Sequence, residues 1–130
     1  MSFVIPFELY STKNHKQIFV SKKTGKPFVA TNITAQRNCK DIITFLSYNR
    51  QSFLAMLEGQ EKPYRLHFKI YRKTRRRFDY INIIQGVCDC LVSTGCLADD
   101  NANELLPVFE PYEVDKKNPR LELFFDEFDV

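Results

Sequence analysis

Asp79, Asp89, Asp99 and Asp100 are the residues of this chain best placed for chemistry, because they follow directly on a dense run of cations. From Lys62 to Arg77 there are eight Lys or Arg and no acid, and Arg72–Arg77, "RKTRRR", packs five like charges into six residues. Charges so close repel one another unless anions settle among them, and phosphate is an anion that arginine matches well. Carboxylates repel phosphate, so a phosphate-binding surface keeps them only where something offsets their charge. Mg²⁺ does so, since it takes oxygen ligands, often one or two carboxylates plus a substrate phosphate. Bound there, it would polarise the phosphate and supply a hydroxide nucleophile.

Plainer roles exist for each group. Asp79 suits a helix N-cap, Asp99–Asp100–Asn101 suits a turn, and Asp89 suits an exposed helix face. The basic residues Arg65, Lys69, Arg72, Lys73, Arg75, Arg76 and Arg77 are candidates for phosphate contact, or else a solvated strand face and loop. No aromatic platform interleaves the arginines, which favours duplex backbone over single strands. His15 and His67 are isolated, and His67 reads as a phosphate contact on the basic strand rather than a general base. The chain has no Gly-rich phosphate loop, Ser/His/Asp arrangement or HExxH.

The totals frame these candidates. At 130 residues and 15.3 kDa, one domain with one modest core is expected. Hydrophobic residues make up 44% and charged residues 27%, a globular composition, and twelve Phe and six Tyr supply core surface. The net charge of +3 conceals two opposed halves. Residues 1–78 carry sixteen Lys/Arg against four Asp/Glu, and residues 79–130 carry three against twelve. That asymmetry suggests a polyanion-binding surface beside an acidic centre. No apolar run approaches the roughly 20 residues of a membrane helix, and "MSFVIPFELY" lacks a basic leader. A cytoplasmic protein without membrane contact or small-molecule cofactor is expected. The four cysteines suit that compartment. Cys88 and Cys90 would point to different sides of a helix, and Cys39 and Cys96 form no CxxC pair, so buried apolar roles are favoured over zinc.

The elements that would position the candidates follow from periodicity. Phe3–Tyr10 reads as a strand, and Gln17–Val20 and Phe28–Ala30 as a hairpin turning at Gly25. Thr34 can cap one helix running from Ala35 to about Glu58, stopped by Gly59. "YRLHFKIYRK" alternates Tyr64, Leu66, Phe68 and Ile70 with Arg65, His67 and Lys69, a half-buried strand with a basic face. Asp79 begins a second helix, Tyr80–Thr94, ended by Gly95, with Gln85 and Asp89 spaced i, i+4. Its stripe of Ile83, Ile84, Val87 and Leu91 could pack on the sheet or against a second copy. Glu104–Val114 and Leu121–Phe125 read as closing strands. The order β-β-β-α-β-α-β-β predicts an α+β domain, a mixed sheet with two main helices on one side. A helix of about 15 residues is ~22 Å long. Asp79 and Asp100 would therefore share a metal only if the chain doubles back, or if two antiparallel copies exchange them across a two-fold axis.

Arg75–Asn101, "RRRFDYINIIQGVCDCLVSTGCLADDN", resembles the RusA family of Holliday-junction resolvases. In that family a basic stretch runs into D-x-D-N, then x-x-K-x-x-x-D-x-L, then a D-D pair about nine residues on. The register is kept here through Asp79, Asn82, Asp89, Leu91, Gly95, Asp99 and Asp100. "STKN", ending at Asn14, looks like the family's early Ser-x-Asn turn, and "PRLELFF" at Pro119–Phe125 like its closing strand. The resemblance implies a small α+β homodimer that binds four-way DNA junctions. It would nick two strands with Mg²⁺ (or Mn²⁺), in recombination and repair of a phage or mobile-element type. Asp79 and Asp100 match two of the three catalytic, metal-holding aspartates, with Asp99 and Asp89 as supplementary acids. Two positions depart: Ile81 stands for the second Asp of the motif and Gln85 for its lysine. One oxygen ligand and one positive charge are lost, so binding should survive better than cleavage. The alternatives are a catalytically impaired junction-binding protein, or a protein that engages a protein partner through its acidic half.

Overall fold

The computed structural model describes residues 1–10, 16–31 and 33–126. Strand β1, Ser2–Ile5, is shorter than the alternation suggests. Pro6 cannot donate to a ladder and ends it. The chain beyond is held by side chains instead. Asn38 donates from Nδ2 to the Glu8 carbonyl at 2.5 Å and accepts the Tyr10 N–H at 3.2 Å. Leu9 is thereby seated in the core. Strands β2, Lys16–Val20, and β3, Pro27–Thr31, form the expected antiparallel hairpin as a separate two-stranded sheet. Its turn closes through Gly25, at φ 68°, whose N–H donates to the Ser21 carbonyl.

The single long helix expected from Ala35 to Glu58 is two: α1, Ile33–Tyr48, and α2, Arg50–Leu57. Thr34 lies inside the first turn of α1 rather than capping it. The break is at Asn49, where Nδ2 donates to the Phe45 carbonyl at 2.8 Å beside the backbone bond to the same oxygen. An Asn side chain that competes for a helix carbonyl favours such an interruption. The break lets Phe53 and Met56 face the core, where Phe3 meets Phe53 edge-on at 5.3 Å.

Strand β4, His67–Arg72, is followed by helix α3, Tyr80–Ser93, and by β5, Val108–Phe109, β6, Glu113–Val114, and β7, Arg120–Phe124. The continuous strand expected over Glu104–Val114 is therefore two short pieces, interrupted around Pro111, which has no N–H to give. The main sheet runs β1-β7-β4-β5, with β6 also on β4. It is mixed, since β4 is antiparallel to β7 and parallel to β5 and β6. Register pairs Ile5 and Ile70 with Leu121, and Phe3 and Phe68 with Leu123. These side chains form one apolar face, and the core closes over it with Ile42, Leu46, Phe53, Ile84 and Leu91 from the helices. The domain is α+β, with three helices rather than two among the described residues. Among the described residues no helix is long and apolar enough to cross a membrane.

Candidate functional site

The basic strand does not present a bare cationic face. Arg65 Nε lies 3.3 Å from Asp126, and Lys69 Nζ 3.6 Å from Glu113. Lys69 also donates to the Pro111 carbonyl at 2.7 Å. His67 is buried, not solvent-facing as a phosphate contact would be. Its Nδ1 is 2.5 Å from Glu110 Oε1, its Nε2 is 2.7 Å from Asp126 Oδ1 without hydrogen-bond geometry, and its ring stacks on Phe124. Acids of the second half thus close over the bases of this strand.

Arg72 departs furthest from expectation. It is 8% exposed, donates from Nη1 to the Leu9 carbonyl at 2.8 Å, and lies 3.4 Å from Glu8. Its guanidinium sits 4.5 Å from the centre of the Phe78 ring. It is a buried clamp between β4, the segment after β1 and the approach to α3, and so does not face a ligand.

Lys73, Arg75, Arg76 and Arg77 are exposed in the loop between β4 and α3, and no ion pair holds them among the described residues. Two backbone contacts shape the loop: Lys73 N–H to Glu8 Oε2 at 3.0 Å and Arg76 N–H to Thr74 Oγ1 at 3.3 Å. Asn14 lies outside the described residues.

The loop delivers Asp79 to the N-cap position of α3, at φ −103° and ψ 120°. The expected cap bond is not made: the carboxylate turns outward, and Asn82 Nδ2 approaches its Oδ2 at 3.3 Å. Ile81, two residues after Asp79, is 69% exposed, and Gln85 is exposed one turn on. The stripe Ile83, Ile84, Val87 and Leu91 is taken up by the chain's own core, so it offers no contact to a second copy.

At the far end of α3, Gly95 takes φ 76°, and Asp99 to Asn103 fold into a polar turn. Asp99 Oδ1 accepts the Asp100 N–H at 2.7 Å, and its Oδ2 the Asn101 amide at 3.1 Å. Those bonds, the backbone one first, hold its carboxyl below the usual range. Asp100 and Asp89 are exposed. Burial pushes the Cys88 thiol up to about 12, and the charges of Asp100 and Asp89 add to it. The chain after α3 turns back on the helix, where the Cys96 and Leu97 N–H groups donate to the Leu91 carbonyl at 2.9 and 3.1 Å. Cys88 is nine residues from Asp79, ~13 Å of helix. The donor chemistry of Asp79, Asp89, Asp99 and Asp100 suits a hard cation. Among the described residues of one chain, however, no three His, Cys, Asp or Glu gather as a metal-binding group.

Two features escaped the sequence. A row of rings crosses from the sheet edge to the start of α3: Tyr112 meets Phe78 edge-on at 5.0 Å, Phe78 meets Tyr80 at 5.2 Å, and Tyr80 stacks on Phe109 at 5.7 Å. The Tyr80 hydroxyl donates to the Glu110 carbonyl, and burial pushes its pKa up to about 12. The only local signal was the pair of aromatics in "VFEPYE", which a strand assignment hides. The second is a cavity of about 190 Å³ between α1 and α3, where Cys39 and Cys90 bring their sulfurs to 3.8 Å.

No protein-family model matches the chain, and no curated protein matches it.

Proposed function

We propose that the protein binds branched DNA through the Lys73–Arg77 loop and hydrolyses its phosphodiesters as a Mg²⁺-dependent endonuclease of the RusA type. One observation carries the reading: four exposed cations without ion-pair partners among the described residues lead within two residues to an exposed carboxylate, Asp79, that makes no cap bond. Such a loop would track a phosphate backbone. Asp79 and Asp100 would hold the metal, with Asp99 and Asp89 as supplementary acids and Asn82 fixing Asp79. Two copies related by a two-fold axis would bring Asp79 of one near Asp100 of the other. Mg²⁺ would offset the carboxylate charge and lower the pKa of a bound water.

A second reading, binding without cleavage, is favoured by Ile81. An exposed isoleucine stands beside Asp79 where the motif has an acid. The deciding experiment is purified protein on a synthetic four-way junction, with and without Mg²⁺ or Mn²⁺. Metal-dependent symmetric nicks are expected. Tight binding without nicks selects the second reading, and an absence of salt-dependent DNA affinity removes both.

A further inference from the structure

Resting on the DNA-binding reading, we propose that the row of rings ending in Phe109 on one side and Tyr112 on the other is a shelf that takes unpaired nucleobases, so that the ligand class is DNA with separated strands at a branch point. Phe109 is 42% exposed and Tyr112 37%, although each is packed against another ring. Phe109 and Tyr80 lie only 12° from parallel, so a base on the open surface of Phe109 would extend an existing stack. The shelf is fixed from beneath: Phe68 meets Phe109 edge-on, Arg72 lies over Phe78, and the Tyr80 hydroxyl bonds to the backbone between β5 and β6. Rings held this way lose little freedom when a base arrives.

Charge selects the occupant. Tyr112 and Arg75 line one concavity, together with Glu113 and Asp115. Glu113 lies 3.6 Å from Lys69 and Asp115 2.8 Å from Arg120, so both acids are offset within the fold. Among the described residues the Arg75 guanidinium at that edge has no ion-pair partner, which suits a phosphate one nucleotide from a stacked base. Phe109 lines a second concavity with Asp79, Tyr80, Ile81 and Asn82. A base on Phe109 would thus lie beside the carboxylate assigned to the metal. Ionic contact to phosphate and stacking on aromatic faces are together what single-strand binding uses.

The test uses the full chain with 2-aminopurine in a single-stranded oligonucleotide and at the branch point of a four-way junction. Phe109→Ala and Tyr112→Ala are expected to weaken single-strand affinity about ten-fold and to abolish the 2-aminopurine change, with duplex affinity within about two-fold of wild type. Tyr112→Phe, which keeps the ring and disturbs the fold least, is expected to retain both signals. Unaltered 2-aminopurine response in both alanine variants, while the parent protein binds duplex, overturns the shelf and leaves the DNA-binding reading intact. A parent protein that binds neither duplex nor branched DNA overturns both. Loss of self-association on sedimentation of Phe109→Ala, with base stacking unaltered, assigns the shelf to a second copy and likewise overturns it.

Discussion

The guanidinium of Arg72 lies 4.5 Å from the centre of the Phe78 ring, buried beneath a loop whose other cations all face solvent. One arginine of the run is therefore structural, and it holds the base of the loop that presents the rest. Removing it strands the Leu9 carbonyl and leaves Glu8 without its cation. Arg72→Ala is expected to cost ~3 kcal/mol of stability in urea unfolding. Arg72→Lys should recover only part, since an ammonium cannot reproduce a planar stack and a directed bond together. Arg76→Ala, at an exposed position, should leave stability within ~0.5 kcal/mol while lowering the salt slope of DNA binding by about one. Equal stability losses at both positions would show that Arg72 is not the clamp.

Asp100→Asn removes a charge from an exposed turn residue and should leave the fold and junction affinity unchanged. If Asp100 holds the metal as proposed, metal-dependent nicking should fall by more than about 100-fold, since losing a ligand costs more than losing a residue behind one. Gel-shift and nicking assays on one preparation separate the two effects. Nicking at the parent rate would take Asp100 out of the mechanism.

Ile81→Asp probes the motif departure directly. Ile81 is 69% exposed, so no core packing is lost, and α3 has no acid in its first turn. An acid there gains ~0.3–1 kcal/mol from the helix dipole, set against repulsion from Asp79. Thermal stability should therefore change little, while cleavage in Mg²⁺ or Mn²⁺ should rise. If cleavage does not rise and the variant binds junctions normally, the missing acid is not what limits the chemistry.

The parts of the fold that were legible are those written locally. Asp79 and Gly95 bracket α3, and the stripe between them faces the core as its spacing requires. Asn49 could not be seen as a helix break, because one Asn in an apolar-periodic segment carries little signal against the pattern around it. Arg72 could not be told from Arg75, since what separates them is the Leu9 carbonyl, 63 positions away in sequence. The opposed charge of the two halves suggests an outward basic surface beside an acidic centre. Part of it is spent on surface pairs within the chain, where Arg65 meets Asp126 and Lys69 meets Glu113. The ring shelf depends on residues around 78 and 110 coming together across the sheet edge, which no local window contains.

Alkaline sensitivity follows from two buried thiols and one half-buried phenol. Burial pushes the Cys88 and Cys90 thiols from 9.0 to about 12, and Tyr80 from 10.0 to about 12. Each is neutral when protonated, and the unfolded chain releases these protons first. Their contribution is complete below pH 9 and is lost as pH rises toward 12, because the unfolded state then binds fewer protons. The urea midpoint should fall steadily from pH 9 upward. Cys88→Ala and Tyr80→Phe should each flatten that slope, and a slope unaltered in both variants would show that these groups do not set it.

His67 joins two acids that would otherwise repel, and its removal gives a prediction distinct from those at the loop. Nδ1 faces Glu110 at 2.5 Å and Nε2 faces Asp126 at 2.7 Å, while the ring covers Phe124 at a centroid distance of 4.9 Å. Glu110 belongs to the link between β5 and β6, and Asp126 follows β7, so one imidazole ties both neighbours of β4 together. His67→Ala leaves a space under Phe124 and takes the imidazole from between Glu110 and Asp126, of which Asp126 keeps its contact with Arg65. The expected cost is ~2–4 kcal/mol, and because the ring is buried the loss should respond only weakly to added salt. A double-mutant cycle with Asp126→Asn should give a coupling of ~0.5–3 kcal/mol. Tyr80 bonds the carbonyl of the same Glu110, so His67→Ala should also speed amide exchange in the first turn of α3, near Asp79. A cost below ~1 kcal/mol with no coupling would mean that the edge strands are held by their backbone ladders alone, and that the start of α3 owes nothing to this histidine.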